Sequence, residues 1–426
     1  MEGSNAAHQQ RGAIAVALML KMLAAAASFL ITFSLARLLG AVETGHYALA
    51  IVTVTTVSQL ALLGLDQLTV RIVAGDLREG KGRAARQALL RIGTLVGMMG
   101  AAAAVLLLFA APLAYRIGLP PAFLPPVALA VLVFPLLRIA FAGLRAAGRV
   151  VSSQWLDGAL FSGLVAAIAL AALGGLVTFN ALEFVQLWTL SVVLSTVVGW
   201  IVFARIARRW PGGASSDQRH IGFGSAWPIF LTVAATALTD WLVLAQLGAE
   251  GRAAEVGSFR VAFQIVLLIS LIQVTVENIV APRYAGDFRE NDLRSARRRH
   301  RNFTLGMLIV SGPPIAVALI FAPHILRLFG PEFPVAADAL RIMVLGQAIN
   351  IATGPVGQFL IMAGKERATL WLAVAALLIA VAIGVVLTPQ LGIVGAALAQ
   401  ASAVSLRNAG GWAVMRHYLR HHRDEM

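Results

Sequence analysis

Asp240 stands in the middle of a long apolar run, with Thr232, Thr236 and Thr239 on its face at helical spacing. An ionised group at bilayer depth costs at least ~2.5–3.5 kcal/mol on insertion scales. Asp240 is therefore expected to face a bundle interior or a watery cavity, where it couples to a cation or proton or pairs with a base. Asp66, near the end of an earlier run, is a second candidate for ion coupling, with a loop ion pair to Arg71 as its simpler reading. Lys21 lies roughly 12 Å into the first run, at ~1.5 Å per residue. Ser28 and Thr32 follow it on the same face. A cation so placed suits an anionic head group, or else snorkels to the interface. Arg260, Gln264, Thr275 and Asn278 share one face of another run, where the guanidinium is shaped for phosphate or pyrophosphate. Glu277 points elsewhere on that helix and reads as an interfacial carboxylate near Arg283. Gln347, Asn350, Gly354 and Gln358 form an amide stripe broken by Pro355. Amides suit sugar hydroxyls, but they also suit helix–helix hydrogen bonds. Arg138, Arg341 and Arg407 read as structural groups that reach an interface.

The elements that must hold these side chains follow from composition. Of 426 residues, 59% are hydrophobic and 13% are charged, against about a quarter charged in an ordinary soluble domain. Too few polar residues remain to coat a soluble globule of this size. With no cysteine, a disulfide scaffold, a cysteine-ligated metal and thiol chemistry are excluded. The class left is a polytopic membrane protein. About twelve apolar runs are long enough to span, with cores at 13–37, 46–70, 88–111, 124–145, 155–177, 184–206, 226–247, 257–281, 303–326, 336–362, 368–387 and 392–416.

Basic residues set the orientation. The even-numbered loops and the termini carry 25 of the 34 Lys and Arg, and the odd loops carry four. That asymmetry predicts a multi-pass chain with both termini in the cytoplasm. The net charge of +14 is spread over six loops and a tail without interleaved aromatics, so it reads as topology and contact with anionic lipid rather than nucleic-acid binding.

The two halves of the chain resemble each other. Ala147-Gly148-Arg149 followed by Trp155 matches Ala363-Gly364-Lys365 followed by Trp371, and Gly45, Tyr47 and Arg71 match Gly257, Phe259 and Arg283. Six spans separate the copies, so the repeat is parallel, with substrate expected between the halves near the midplane. The expected architecture is an all-α integral membrane protein of about twelve transmembrane helices. Its six-helix lobes, 1–210 and 224–426, surround a central cavity and are joined by a cytoplasmic linker at 211–223. Pro135, Pro228, Pro313, Pro314 and Pro355 lie in or at helices, where proline allows bending. No Walker A or His-Glu-x-x-His motif occurs, so no ATP site and no zinc-hydrolase chemistry are encoded. An enzyme is not expected, because the outer loops are short.

Several segments carry a family resemblance. Leu35-Ala36-Arg37-Leu38-Leu39-Gly40 with Gly45-His46-Tyr47-Ala48, Leu63-Gly64-Leu65-Asp66, Phe329-Gly330-Pro331-Glu332-Phe333, Ala363-Gly364-Lys365-Glu366-Arg367 and Leu391-Gly392-Ile393-Val394-Gly395-Ala396-Ala397 resemble, in that order, the O-antigen and exopolysaccharide flippases of the multidrug/oligosaccharidyl-lipid/polysaccharide exporter superfamily. The resemblance implies a bacterial inner-membrane protein that carries undecaprenyl-pyrophosphate-linked oligosaccharide from the cytoplasmic to the periplasmic leaflet by alternating access. It implies no cofactor, with H+ or Na+ coupling in place of ATP. Its partners would be the bilayer, the lipid-linked oligosaccharide and other glycan-assembly membrane proteins. On this reading Lys21, Ser28, Thr32, Arg260, Gln264, Gln347, Asn350 and Gln358 line the substrate cavity, and Asp240 and Asp66 serve ion coupling. A cation-coupled multidrug antiporter of the same superfamily is the alternative, and Asp240 is the residue that keeps it open.

Overall fold

The computed structural model describes residues 2–210 and 227–422. The side chains of residues before 16, and of 17, 18, 21, 150 and 157–160, lie outside the described set. Lys21 lies on a helix, and its side chain and the expected linker 211–223 fall outside what the structure describes.

Hydrocarbon offers the backbone no partner, so spanning segments must satisfy their own amides. Among the described residues there are helices and turns and no strand. Among the described residues, nine helices are long and apolar enough to cross a membrane. The chain divides into two compact units: Met1–Leu38 with Ala50–Trp227, and Leu39–Leu49 with Pro228–Met426.

The first unit holds most of α1 (Glu2–Leu62), then α2 (Leu65–Arg78), α3 (Gly82–Phe109), α4 (Ala111–Arg116), α5 (Leu124–Ala146), α6 (Val150–Gln154), α7 (Gly163–Leu173) and α8 (Ala181–Ala207). A π-helical stretch, Trp155–Ser162, joins α6 to α7. No loop separates the first two expected spans; Gly40 alone turns the chain within α1, at φ 75 and ψ −173. The expected span 46–70 is likewise broken, at Leu63 and Gly64, before α2 begins. Pro135 removes the donor to the Val131 carbonyl. Gly100 of α3 sits against that turn, where a Cβ would press on the carbonyls of Leu132 and Val131.

The second unit holds α9 (Trp227–Ala249), α10 (Ala253–Arg289), α11 (Leu293–Ile320), α12 (Ala322–Arg327), α13 (Ala337–Thr353), α14 (Val356–Met362), α15 (Glu366–Leu391) and α16 (Ile393–His421), with residues 39–49 packed among them. Asp292 caps α11, and the hydrogen bonds it receives from Ser295 hold its carboxyl below the ordinary aspartate range. Val280, Tyr284, Phe359, Leu360, Met415 and Leu419 form an apolar core where α10, α14 and α16 meet. The expected tenth span, 336–362, is two helices, because Gly354 adopts φ 75 and ψ −169 between them.

The internal repeat is visible in the backbone. Residues with left-handed φ pair as Gly40 with Gly251, Gly80 with Asn291, Gly118 with Gly330, Gly148 with Gly364 and Gly175 with Gly392. Their separations are 211, 211, 212, 216 and 217 residues. The turns agree in detail: Lys81 N donates to Asp76 O and Asp292 N to Asp287 O, both at 2.8 Å. The matched glycines of the sequence repeat also touch. Ala41-x-x-x-Gly45 and Ala253-x-x-x-Gly257 cross so closely that a Cβ on Gly45 would strike the Ala253 carbonyl and one on Gly257 the Ala41 carbonyl. Small residues four apart permit this approach of helix backbones.

Candidate functional site: a polar cavity in the second unit

Within the second unit, α9, α10, α13, α15 and α16 enclose a cavity of about 280 Å³. Space exists because four of the facing positions on α15 and α16 are methyl groups, Ala373, Ala376, Ala401 and Ala403. The polar side chains arrive by helical periodicity, from Thr236 and Asp240 on α9, Gln273 and Glu277 on α10, Gln347 and Asn350 on α13, and Gln400 and Arg407 on α16.

Three buried carboxamides close a ring. Gln273 Nε2 donates to Asn350 Oδ1 at 3.0 Å, Asn350 Nδ2 to Gln347 Oε1 at 3.2 Å, and Gln347 Nε2 to Gln273 Oε1 at 3.2 Å. Gln273 Nε2 also donates to Glu277 Oε1 at 2.9 Å. The ring ties α10 to α13 and uses both hydrogens of the Gln273 amide. Gln347 and Asn350 each keep a second N–H for another acceptor.

Two turns of α9 carry the charged part. Gln400 Nε2 donates to Asp240 Oδ1 at 2.8 Å, and Arg407 Nη1 donates to Thr236 Oγ1 at 3.0 Å, one turn from the carboxylate. Asp240 lies in the electrostatic field of both Arg407 and Arg260, and Arg407 in that of both Asp240 and Glu277. The Gln400 Oε1 atom is buried and has no partner. A second cavity of about 210 Å³ shares Gln273, Glu277, Asn350 and Arg407 with the first. It runs on past Thr369 and Asn408 to Val356 and Leu360 of the apolar core.

The site expected from sequence is thus partly assembled. Asp240, Gln347 and Asn350 line the first cavity. Arg260 bonds Gln264 Oε1 at 3.3 Å and reaches Asp240 through its field, yet neither residue is among the cavity's lining. Gln358 lies on α14, beyond the break at Gly354, and is not in the lining; that break ends the stripe that i, i+4 counting carried through. The face of α10 toward the cavity is Val266, Ser270, Gln273 and Glu277. It differs from the expected one, since Asn278 is exposed and the Thr275 hydroxyl back-bonds to Leu271 O. Glu277, expected as an interfacial carboxylate near Arg283, lines both cavities. In the first unit, Thr32 Oγ1 donates to Ser28 O at 3.1 Å. Asp66, 4% exposed, pairs with Arg138 at 3.5 Å, the guanidinium that had read as an interfacial group.

Sequence reasoning missed Gln273 and Gln400 and undervalued Glu277 and Arg407. The available signal was spacing: Gln273 and Glu277 are four apart, and Gln400 and Arg407 seven apart, each pair on one face of an otherwise apolar helix. Among the described residues no cluster of three metal-ligating side chains occurs.

Residues 228–386 match the MatE family. No curated protein sequence matches the chain. The fold is that of solved exporters. One is a multidrug resistance MATE family transporter of the MOP superfamily in an inward-facing conformation, 15% identical, covering 97% of this chain and 99% of its own, with a TM-score of 0.76. Another is the lipid II flippase MurJ in an inward closed conformation, 12% identical, covering 93% and 87%, with a TM-score of 0.70. A third is a MOP superfamily transporter from Pyrococcus furiosus whose binding pocket has reversed polarity, 15% identical, covering 96% and 95%, with a TM-score of 0.65. At these identities the likeness establishes the fold, an all-helical multi-pass membrane architecture with two lobes.

Proposed function

We propose that this chain is a bacterial inner-membrane transporter that flips a lipid-linked oligosaccharide, carried on undecaprenyl pyrophosphate, from the cytoplasmic to the periplasmic leaflet by alternating access. Both termini lie in the cytoplasm, as the loop charges require. The observation that carries this reading is the amide ring of Gln273, Gln347 and Asn350 inside an alanine-walled cavity. Neutral amides exchange hydrogen bonds with hydroxyls at little net cost, as a glycan needs, whereas bare hydroxyls and phosphates in hydrocarbon are heavily penalised. Energy comes from an ion gradient, with Asp240 as the coupling carboxylate.

A second reading, a cation-coupled multidrug antiporter, is favoured by the MatE match over 228–386 and by the likeness to the multidrug transporter. Leaflet-resolved detection of the lipid-linked glycan separates the two. Periplasmic-leaflet glycan appears in a null strain carrying wild type and falls with Asp240→Asn and with Asn350→Ala. Unchanged transbilayer movement between the null strain and wild type, together with drug efflux on expression, would leave only the antiporter.

A further inference from the structure

Asp240, Glu277 and Arg407 are the titratable side chains among the residues lining the larger cavity. Arg260 adds a second guanidinium to the field at Asp240, with Tyr47 beyond it. The faces that α13 and α15 turn to the cavity carry amides, Met343 and alanines. Asp240 is held by an amide from Gln400, and Arg407, whose field at Asp240 exceeds that of Arg260, is tied to Thr236, one helical turn away on the same element. That cation also feels Glu277, which lines both cavities with it.

We propose that Arg407 is a tethered counter-cation that makes Asp240 selective for protons over metal ions. Resting on the reading of Asp240 as the coupling carboxylate, the argument is one of charge. A metal ion at Asp240 would add a positive charge in the field of two guanidinium groups, where Asp240 is the carboxylate at hand and Glu277 acts on Arg407. A proton adds none, because it neutralises the carboxylate it joins. Neutralising Asp240 removes one of the two acids that attract Arg407, and the guanidinium is then drawn toward Glu277, at the wall between the two cavities. Proton uptake is thereby converted into displacement of a side chain that both cavities share, and the charge of Arg407, held on Thr236, keeps a metal ion from Asp240.

The test is thermal unfolding of the purified full chain, followed by tryptophan fluorescence without any substrate, in sodium chloride against choline chloride at equal ionic strength. Wild type unfolds at the same temperature in both salts. Arg407→Gln opens the site, and its Tm rises in sodium by roughly 2 °C at a concentration tenfold above the dissociation constant. Arg407→Lys keeps the charge and shows no sodium effect, and the gain disappears in Arg407→Gln/Asp240→Asn. Thr236→Val removes the tether without removing the cation, and it gains a smaller sodium effect; it keeps the test open if Arg407→Gln does not fold. Sodium stabilisation of wild type equal to that of Arg407→Gln overturns the proposal, as does a folded Arg407→Gln indifferent to sodium. Because no glycan is present, this outcome is read separately from leaflet assays of the flippase reading.

Discussion

Removing the Gln273 carboxamide tests whether the ring acts as a unit. The side chain makes one hydrogen bond to a carboxylate and two to neutral amides. At ~1.5–3 kcal/mol for the first and ~1 kcal/mol for each of the others, the gross loss in Gln273→Ala reaches about 4 kcal/mol. Two effects reduce it. Cavity water takes over part of the bonding, and interhelical hydrogen bonds in membrane proteins average only ~0.6 kcal/mol in mutant cycles. The expected destabilisation is about 2 kcal/mol. Asn350→Ala loses two neutral ring bonds, with Gln273 and with Gln347, and costs about 1 kcal/mol by the same reckoning. The double variant costs less than the sum by about 1 kcal/mol, because Gln273 and Asn350 share a bond and are linked again through Gln347. Equilibrium unfolding in mixed micelles, with all four proteins in one detergent series, measures each term. Losses that add to within ~0.3 kcal/mol would show that the three amides are independent, and the ring would then be geometry without energy.

Other expectations follow from individual contacts. Gly257→Ala drives a methyl into the Ala41 carbonyl and should cost about 1–3 kcal/mol as overpacking, read as a lowered Tm; Gly306→Ala, where nothing lies within 4 Å of the added Cβ, is the control. Asp66→Asn leaves Arg138 without its carboxylate. A fully buried pair would lose ~3–5 kcal/mol, but Arg138 is 32% exposed and the contact is 3.5 Å, so about 1–2 kcal/mol is expected, largely restored by adding Arg138→Gln. Gly354→Ala combines a left-handed φ with collision against the Thr304 hydroxyl, and about 2–3 kcal/mol of destabilisation is expected in the same unfolding assay.

The sequence made the class and the helices legible, because spans announce themselves by apolar length and loops by arginine. Among the described residues, each of the twelve expected runs falls mostly on helix, with breaks inside 46–70, 88–111, 303–326 and 336–362. The breaks were legible only in part. Pro355 marks an interruption of its stripe, but the left-handed φ of Leu63, Gly64 and Gly354 shows only in the backbone. The site was read through single conspicuous charges, which found Asp240 but not its neighbours. Gln400 and Gln273 carry no charge, and their importance lies in which helix faces them. Of the amide stripe, Gln347 and Asn350 line the cavity and Gln358 does not, because the helical count ran across a residue that is not helical. Choosing the face of α10 from Arg260 and Gln264 selected the side that turns away from the cavity further along.

The five matched left-handed turns show which parts of an old duplication have been held in place by geometry. A backward-running φ tolerates little besides glycine or asparagine, so these corners coincide in the two halves where the helices between them differ in sequence. Leu63, Gly64 and Gly354 have no such counterparts. They mark where each half acquired a joint of its own, and a swap of one half for the other would therefore preserve the corners and lose the joints.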